Sequence, residues 1–106
     1  LTYPQNTTSV NFAQFVTELG YNGVVSACLS PVNNELIIKT YTSLYYYGKN
    51  NSNALSLISE VEPIALDYQV EAQGEAVCFA ADATGFYTLS EEALGVEPKL
   101  NFYKRK

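Results

Sequence analysis

A chain of 106 residues with 47% apolar side chains has material for one ordinary domain with a core and makes no case for general disorder. Its net charge of −5 argues against a nucleic-acid partner, and no apolar run approaches the roughly 20 residues of a membrane-spanning helix. Histidine is absent, which removes Ser-His-Asp and Cys-His triads and histidine metal sites, and there is no phosphate-binding P-loop or Gly-x-Gly-x-x-Gly motif.

The chain opens on Leu1-Thr-Tyr-Pro4, neither an initiator Met nor a signal peptide, so it reads as a trimmed or clipped piece of something longer. Residues 1–9, with Pro4, Asn6, Thr7, Thr8 and Ser9, are expected to be loop. Loose alternation around Phe12, Phe15 and Val16 predicts a strand at about 12–19, with a short helical turn as the competing reading. Gly20-Tyr-Asn-Gly23 is a turn by composition, and the apolar run 24–29 fits a strand buried on both faces.

Ser30-Pro-Val-Asn-Asn34 predicts a hairpin turn. Strands at 35–41 and 43–47 follow, both dense in Ile, Leu, Thr and Tyr. After a polar loop at 48–53, residues 54–58 can form one helical turn before Pro63, and 64–68 reads as an outer strand. The last third predicts strands at 76–80, 86–90 and 100–104, with a turn at Asp82-Ala-Thr-Gly85 and a loop through Pro98.

The chain says nearly the same thing twice. With Cys28 laid on Cys78, an offset of 50 positions, Ala27 falls on Val77, Leu29 on Phe79, Leu36 on Phe86, Ile37 on Tyr87 and Thr40 on Ser90. A period near 50 lies in the range of β-propeller blades. The expected fold is therefore all-β: two antiparallel four-stranded blades, one incomplete. Residues 1–23 would be an arm and the outer strand of a preceding blade, 24–70 the first blade, and 71–106 a second blade lacking its fourth strand. Gly85 is expected at positive φ or in close contact with a neighbouring backbone.

Candidate functional residues are few. Cys28 and Cys78 share one slot of the repeat, so two buried thiols are expected rather than a disulfide. Between Lys49 and Lys99 there is no base but nine acids, and four of the six bases close the chain at Lys99, Lys104, Arg105 and Lys106. Gln73 and Glu75 stand at the start of a first strand, while Glu91 and Glu92 stand at the end of a second. Converging there, Glu75 and Glu91 could hold a hard cation such as calcium, or remain solvated turn acids. Tyr45 and Tyr47 share a strand face, with Tyr46 on the other, and could form a binding platform for carbohydrate or peptide or pack between sheets. Asn6-Thr-Thr8 and Asn50-Asn-Ser52 match the N-glycosylation acceptor.

Gln73-Gly-Glu75, Gly85-Phe-Tyr-Thr-Leu-Ser-Glu91, Leu29-Ser-Pro31 and Leu36-Ile-Ile-Lys-Thr-Tyr41 together resemble bacterial secreted or envelope-associated β-propellers of the esterase-like and phytase-like group, over residues 24–104. The resemblance implies the last two blades of a propeller in an extracytoplasmic setting. The remaining blades, or self-association, would then be the partners. It implies a structural or ligand-binding role without catalysis by this chain. The alternatives are part of a calcium-dependent phosphoesterase-like propeller enzyme, and a carbohydrate-binding or adhesin module.

Overall fold

The computed structural model describes residues 4–48 and 53–106. The Asn50–Ser52 acceptor and residues 1–3 lie outside them. Among the described residues there are seven strands and one short helix, in the order β1 (Val24–Leu29), β2 (Leu36–Thr40), β3 (Leu44–Tyr47), α1 (Ala54–Glu60), β4 (Ile64–Leu66), β5 (Gly74–Phe79), β6 (Gly85–Ser90) and β7 (Leu100–Lys104). They form two antiparallel sheets, β1-β2-β3-β4 and β5-β6-β7.

The repeat read from the sequence is a repeat of hydrogen-bond register. Val24 pairs with Thr40, Ser26 with Lys39, Ala27 with Ile38, Cys28 with Ile37 and Leu29 with Leu36. In the second sheet Gly74 pairs with Ser90, Ala76 with Leu89, Val77 with Thr88, Cys78 with Tyr87 and Phe79 with Phe86. Every pair recurs 50 positions on, including the irregularity between the first and second pairs of each ladder. The turns that set these registers differ. Ser30 Oγ accepts from the amide of Asn33, and the Ser30 amide bonds the Glu35 carbonyl. In the second repeat Asp82 Oδ1 accepts from the Thr84 amide and hydroxyl, and Ala83 takes the left-handed conformation at φ 56°. Gly85 meets its expectation by close approach: a Cβ there would strike the Tyr103 carbonyl oxygen and lie 2.7 Å from the Phe102 ring.

Period-two alternation divides each sheet into two faces. On the first sheet, Ser26, Cys28, Glu35, Ile37, Lys39, Leu44 and Tyr46 point toward the second sheet. We call this the front. On the second sheet the residues facing back are Val77, Phe79, Phe86, Thr88, Asn101 and Tyr103. Ile37, Leu44 and Val77 are buried together between the sheets, packed by Tyr46, Leu66, Tyr68, Phe79 and Phe86. Burying Ile37 and Leu44 contributes about 1.5–3 kcal/mol each. The back of the first sheet carries a second core of Leu36, Ile38 and Tyr47, covered by Leu57 and Ile58 of α1 and by Leu19, Tyr21 and Val61. The helix starts where Asn53 caps the amides of Leu55 and Ser56.

Four expectations need correction. Residues 12–19 form no strand: they pair with neither sheet, and Phe12 and Phe15 stand exposed, while Asn6 accepts from the amides of Thr8 and Ser9 in a local turn just before. The strand buried throughout is β2 and not β1, because β1 is an edge strand covered on one face only. The expected outer strand at 64–68 is shorter, ending at Leu66. Finally, both cysteines are free and in equivalent slots, but Cys28 is only half-buried and Cys78 is exposed.

Adjacent residues of β5 test the assignment of faces. Val77 is 6% exposed against the first sheet, and Ala76 points the other way. Val77→Asp strands an unpaired carboxylate in the seam and is expected to cost at least about 3 kcal/mol. Ala76→Asp should stay within about 0.5 kcal/mol. Urea melts of the two variants, read against the parent, measure the difference.

Candidate functional site

Two polar centres lie at opposite ends of the seam, one beginning with Lys39 on the front of β2 and the other with Glu35 just before that strand. Lys39 has no exposed surface. Its ammonium donates to the Thr40 carbonyl and the Tyr68 hydroxyl, each at 3.3 Å, and sits 4.9 Å above the Tyr68 ring. Its carboxylate partner is Glu71 Oε2 at 4.0 Å, with a Glu71 side chain only 6% exposed. The other oxygen, Oε1, accepts from Thr88 Oγ1 and from Asn101 Nδ2 at 2.6 Å. Burial pulls the Lys39 ammonium below the usual lysine range, and the Glu71 charge opposes that.

Gly74 makes this centre possible. A Cβ at Gly74 would lie 2.6 Å from Glu71 Oε2, 2.9 Å from Glu71 Cβ and 3.1 Å from Lys39 Nζ. The Gln73-Gly-Glu75 bend is thus shaped around the ion pair beneath it, with Gln73 itself at φ 47°. On the outside of that bend the acids singled out from sequence do gather at one end. The Glu91 amide bonds the Gln73 carbonyl at 3.0 Å, and Glu75 Oε1 accepts from the Tyr41 hydroxyl at 2.8 Å. The hydrogen bond to Glu75, then the charges of Glu75 and Glu91, hold the Tyr41 phenol above its ordinary range. Among the described residues, however, no three or more Asp, Glu or Cys side chains are arranged to hold a metal ion.

At the other end Glu35 is buried. Its Oε1 accepts from Arg105 at 2.6 Å and from the Tyr46 hydroxyl at 2.9 Å. Burial pushes this carboxyl up, but the hydrogen bonds from Arg105 and Tyr46 outweigh it and leave the group below the usual carboxylate range. Arg105 is placed by β7: its amide bonds the Thr84 carbonyl, and it also bonds the Tyr46 hydroxyl. Beside this clasp a cleft of about 600 Å³ opens between the sheets, lined by Tyr46, Phe79, Phe86, Phe102, Tyr103 and the chain end.

The tyrosine platform does not form. Tyr47 is buried, and its hydroxyl meets that of Tyr21 at 2.8 Å. One face of Tyr45 is stacked on Tyr21 at 3.8 Å between centroids. Tyr46 takes the opposite face, as the alternation requires.

Sequence reasoning missed Glu35, Lys39, Glu71 and Arg105, although a signal was present. Set against the repeat, Lys39 and Glu35 fall on Leu89 and Gly85. A lysine inside the run Leu36-Ile-Ile-Lys39 demands a partner once that strand is buried. Comparison with protein-family models, with curated proteins and with solved structures finds no match to this chain.

Gly74→Ala should force Glu71 away from Lys39 and lower stability by about 2 kcal/mol or more, since the displaced atoms are a buried carboxylate and ammonium. Thermal melts would show it. The Glu35 clasp has a pH signature. Its folded value is depressed, so its contribution is fully present above the ordinary 4.5 and lost as pH falls through the lower folded value. Between about pH 5 and about pH 3 the parent should lose more stability than Glu35→Gln, as denaturant melts at each pH would show.

Proposed function

We propose that this chain is a non-catalytic structural and ligand-binding module, made of two propeller-type blades packed front to back. The observation that carries the reading is the constant 50-residue register, irregularity included, in two sheets that meet through unlike faces. The first strands of the two repeats also lie against each other. The Val77 amide donates to Ser26 Oγ and the Phe79 amide to Cys28 Sγ. Inner strands of neighbouring blades share this relation. In this reading the second unit lacks its outer strand beside β7, further blades of a larger assembly are natural partners, and the setting is extracytoplasmic. Ligand contacts come from the end where Gln73, Glu75, Glu91 and Tyr41 meet.

Calorimetric titration with calcium, run on the parent and on a Glu75→Gln/Glu91→Gln variant, separates this reading from the phosphoesterase-like one. The module reading expects no saturable calcium heat in either protein. A saturable isotherm in the parent that vanishes in the variant would move the chain to the enzyme class.

A further inference from the structure

Both sheets share one register, but only the first has a strand beyond its third. Tyr46 of β3 pairs with Ile37, and Phe102 of β7 pairs with Tyr87, 50 positions after Ile37. Leu44 and Leu100 correspond in the same way through Lys39 and Leu89. The Thr40 amide bonds the Ser43 carbonyl, so the alternation of an antiparallel ladder turns the backbone groups of Leu44 and Tyr46 away from β2. β4 meets them there, with Leu66 opposite Leu44 and Ile64 opposite Tyr46. On the second sheet the Ser90 amide bonds the Lys99 carbonyl and the Arg105 amide the Thr84 carbonyl. By the same alternation Leu100, Phe102 and Lys104 are turned outward. Among the described residues no strand pairs with them.

The first sheet and the surroundings of β7 together specify what fits this edge. Leu100, Phe102 and Lys104 lie on the front, and Asn101 and Tyr103 on the back. A strand laid against β7 as β4 lies against β3 sets apolar side chains beside Leu100 and Phe102, which are 67% and 47% exposed. Opposite Asn101 it needs a small residue, as Ala65 stands opposite Tyr45. Opposite Tyr103 its side chain enters the cleft of about 600 Å³ walled by Ile37, Phe79 and Phe86, which takes a large apolar group. Opposite Lys104 it needs an acid. The cleft lining there carries Lys104, Arg105 and Lys106 against Asp67, and Glu35 neutralises only Arg105. Residues 10–19 do not supply this order. Their one acid, Glu18, is followed by Leu19, which packs on the back of the first sheet, and then by Gly20. The arm of a second copy is therefore not the occupant.

We propose that β7 is a docking edge for an extended segment of a partner polypeptide, which adds to the second sheet as a fourth, antiparallel strand. From its N-terminal end that segment reads acidic, large apolar, apolar, small, apolar. Backbone hydrogen bonds at Leu100, Phe102 and Lys104 hold it, and the alternating side chains select it. The proposal rests on the two-unit part of the reading above, in which the second unit lacks its outer strand. It does not depend on calcium, so a calcium isotherm would overturn the module reading and leave this edge standing.

The probe is the end-capped synthetic peptide Ser-Glu-Leu-Ile-Ala-Leu-Ser, titrated into the 106-residue chain and followed by amide hydrogen exchange. In the free chain the amides of Leu100, Phe102 and Lys104 should exchange fast, while those of Asn101 and Tyr103 are protected. Saturating peptide should slow the first three by at least about tenfold. Phe102→Pro removes an outward N–H and no bond to β6, so it should lose the peptide while the β5 and β6 amides stay protected. Lys104→Glu, at an exposed position, should weaken binding several-fold, and a peptide with Lys in place of its Glu should recover it. No saturable protection, or protection unaffected by both variants, would overturn the proposal. So would outward amides already protected in the free chain. Sedimentation would then assign the edge to the chain's own arm if the chain is monomeric, and to a second copy if it is dimeric.

Discussion

A lysine with no exposed surface must be answered inside the protein, and much of this structure is arranged around that requirement. Removing an ammonium from water costs several kcal/mol even after relaxation, and only close partners offset it. Lys39 finds them in the Thr40 carbonyl, the Tyr68 hydroxyl and ring, and the Glu71 carboxylate. Two of these partners, Tyr68 and Glu71, come from the connection between the sheets. The same residues that neutralise the charge thus fix where the second repeat begins. Gly74 follows from this, because any side chain there would occupy the space of the carboxylate.

The second ion pair works from the far end of the seam. Glu35 and Arg105 are 70 positions apart, and their contact binds the turn before β2 to the end of β7. An apolar seam of Ile, Leu, Val and Phe would tolerate sliding by a residue pair, since such side chains are interchangeable in volume. Two charged contacts at its ends do not tolerate it. Buried charges of this kind add little net stability over an apolar pair of the same shape, and their use is to select one arrangement. The two-fold difference between the sheets has the same origin: the front that carries Glu35 and Lys39 is the one that is met.

Much of this architecture was legible in the sequence because it depends on local spacing. The 50-residue offset, the two turns and all seven strands follow from alternation and turn chemistry, and Cys28 and Cys78 do fall in one structural slot. What was not legible depends on contacts between distant segments. The apolar pattern at 12–19 matches a strand, but a strand exists only where it pairs with an edge, and this segment joins neither sheet. The exposure of Cys78 was hidden for the same reason, since its slot is equivalent to that of Cys28 in register but not in what lies over it. Among the site residues, Gln73, Glu75 and Glu91 do come to one end of the seam, whereas nothing local marks Glu71 among the nine acids between Lys49 and Lys99. Its role appears only when Lys39, 32 positions earlier, is known to be buried opposite it.

The two repeats show how a duplicated unit comes to have unlike faces. Backbone register is shared between their first two strands, so the difference lies in the side chains placed on it and in the connections that follow. On the first sheet, α1 fills the loop between β3 and β4 and covers the back, which leaves the front to the second sheet. On the second sheet the connection from β6 to β7, residues 91–99, contains no helix, and the back is instead taken by the first sheet. Replacing Lys39 by Leu89 at the equivalent position then removes any need for a countercharge on the remaining face. A front with a buried lysine can accept only a partner that brings a carboxylate to one place.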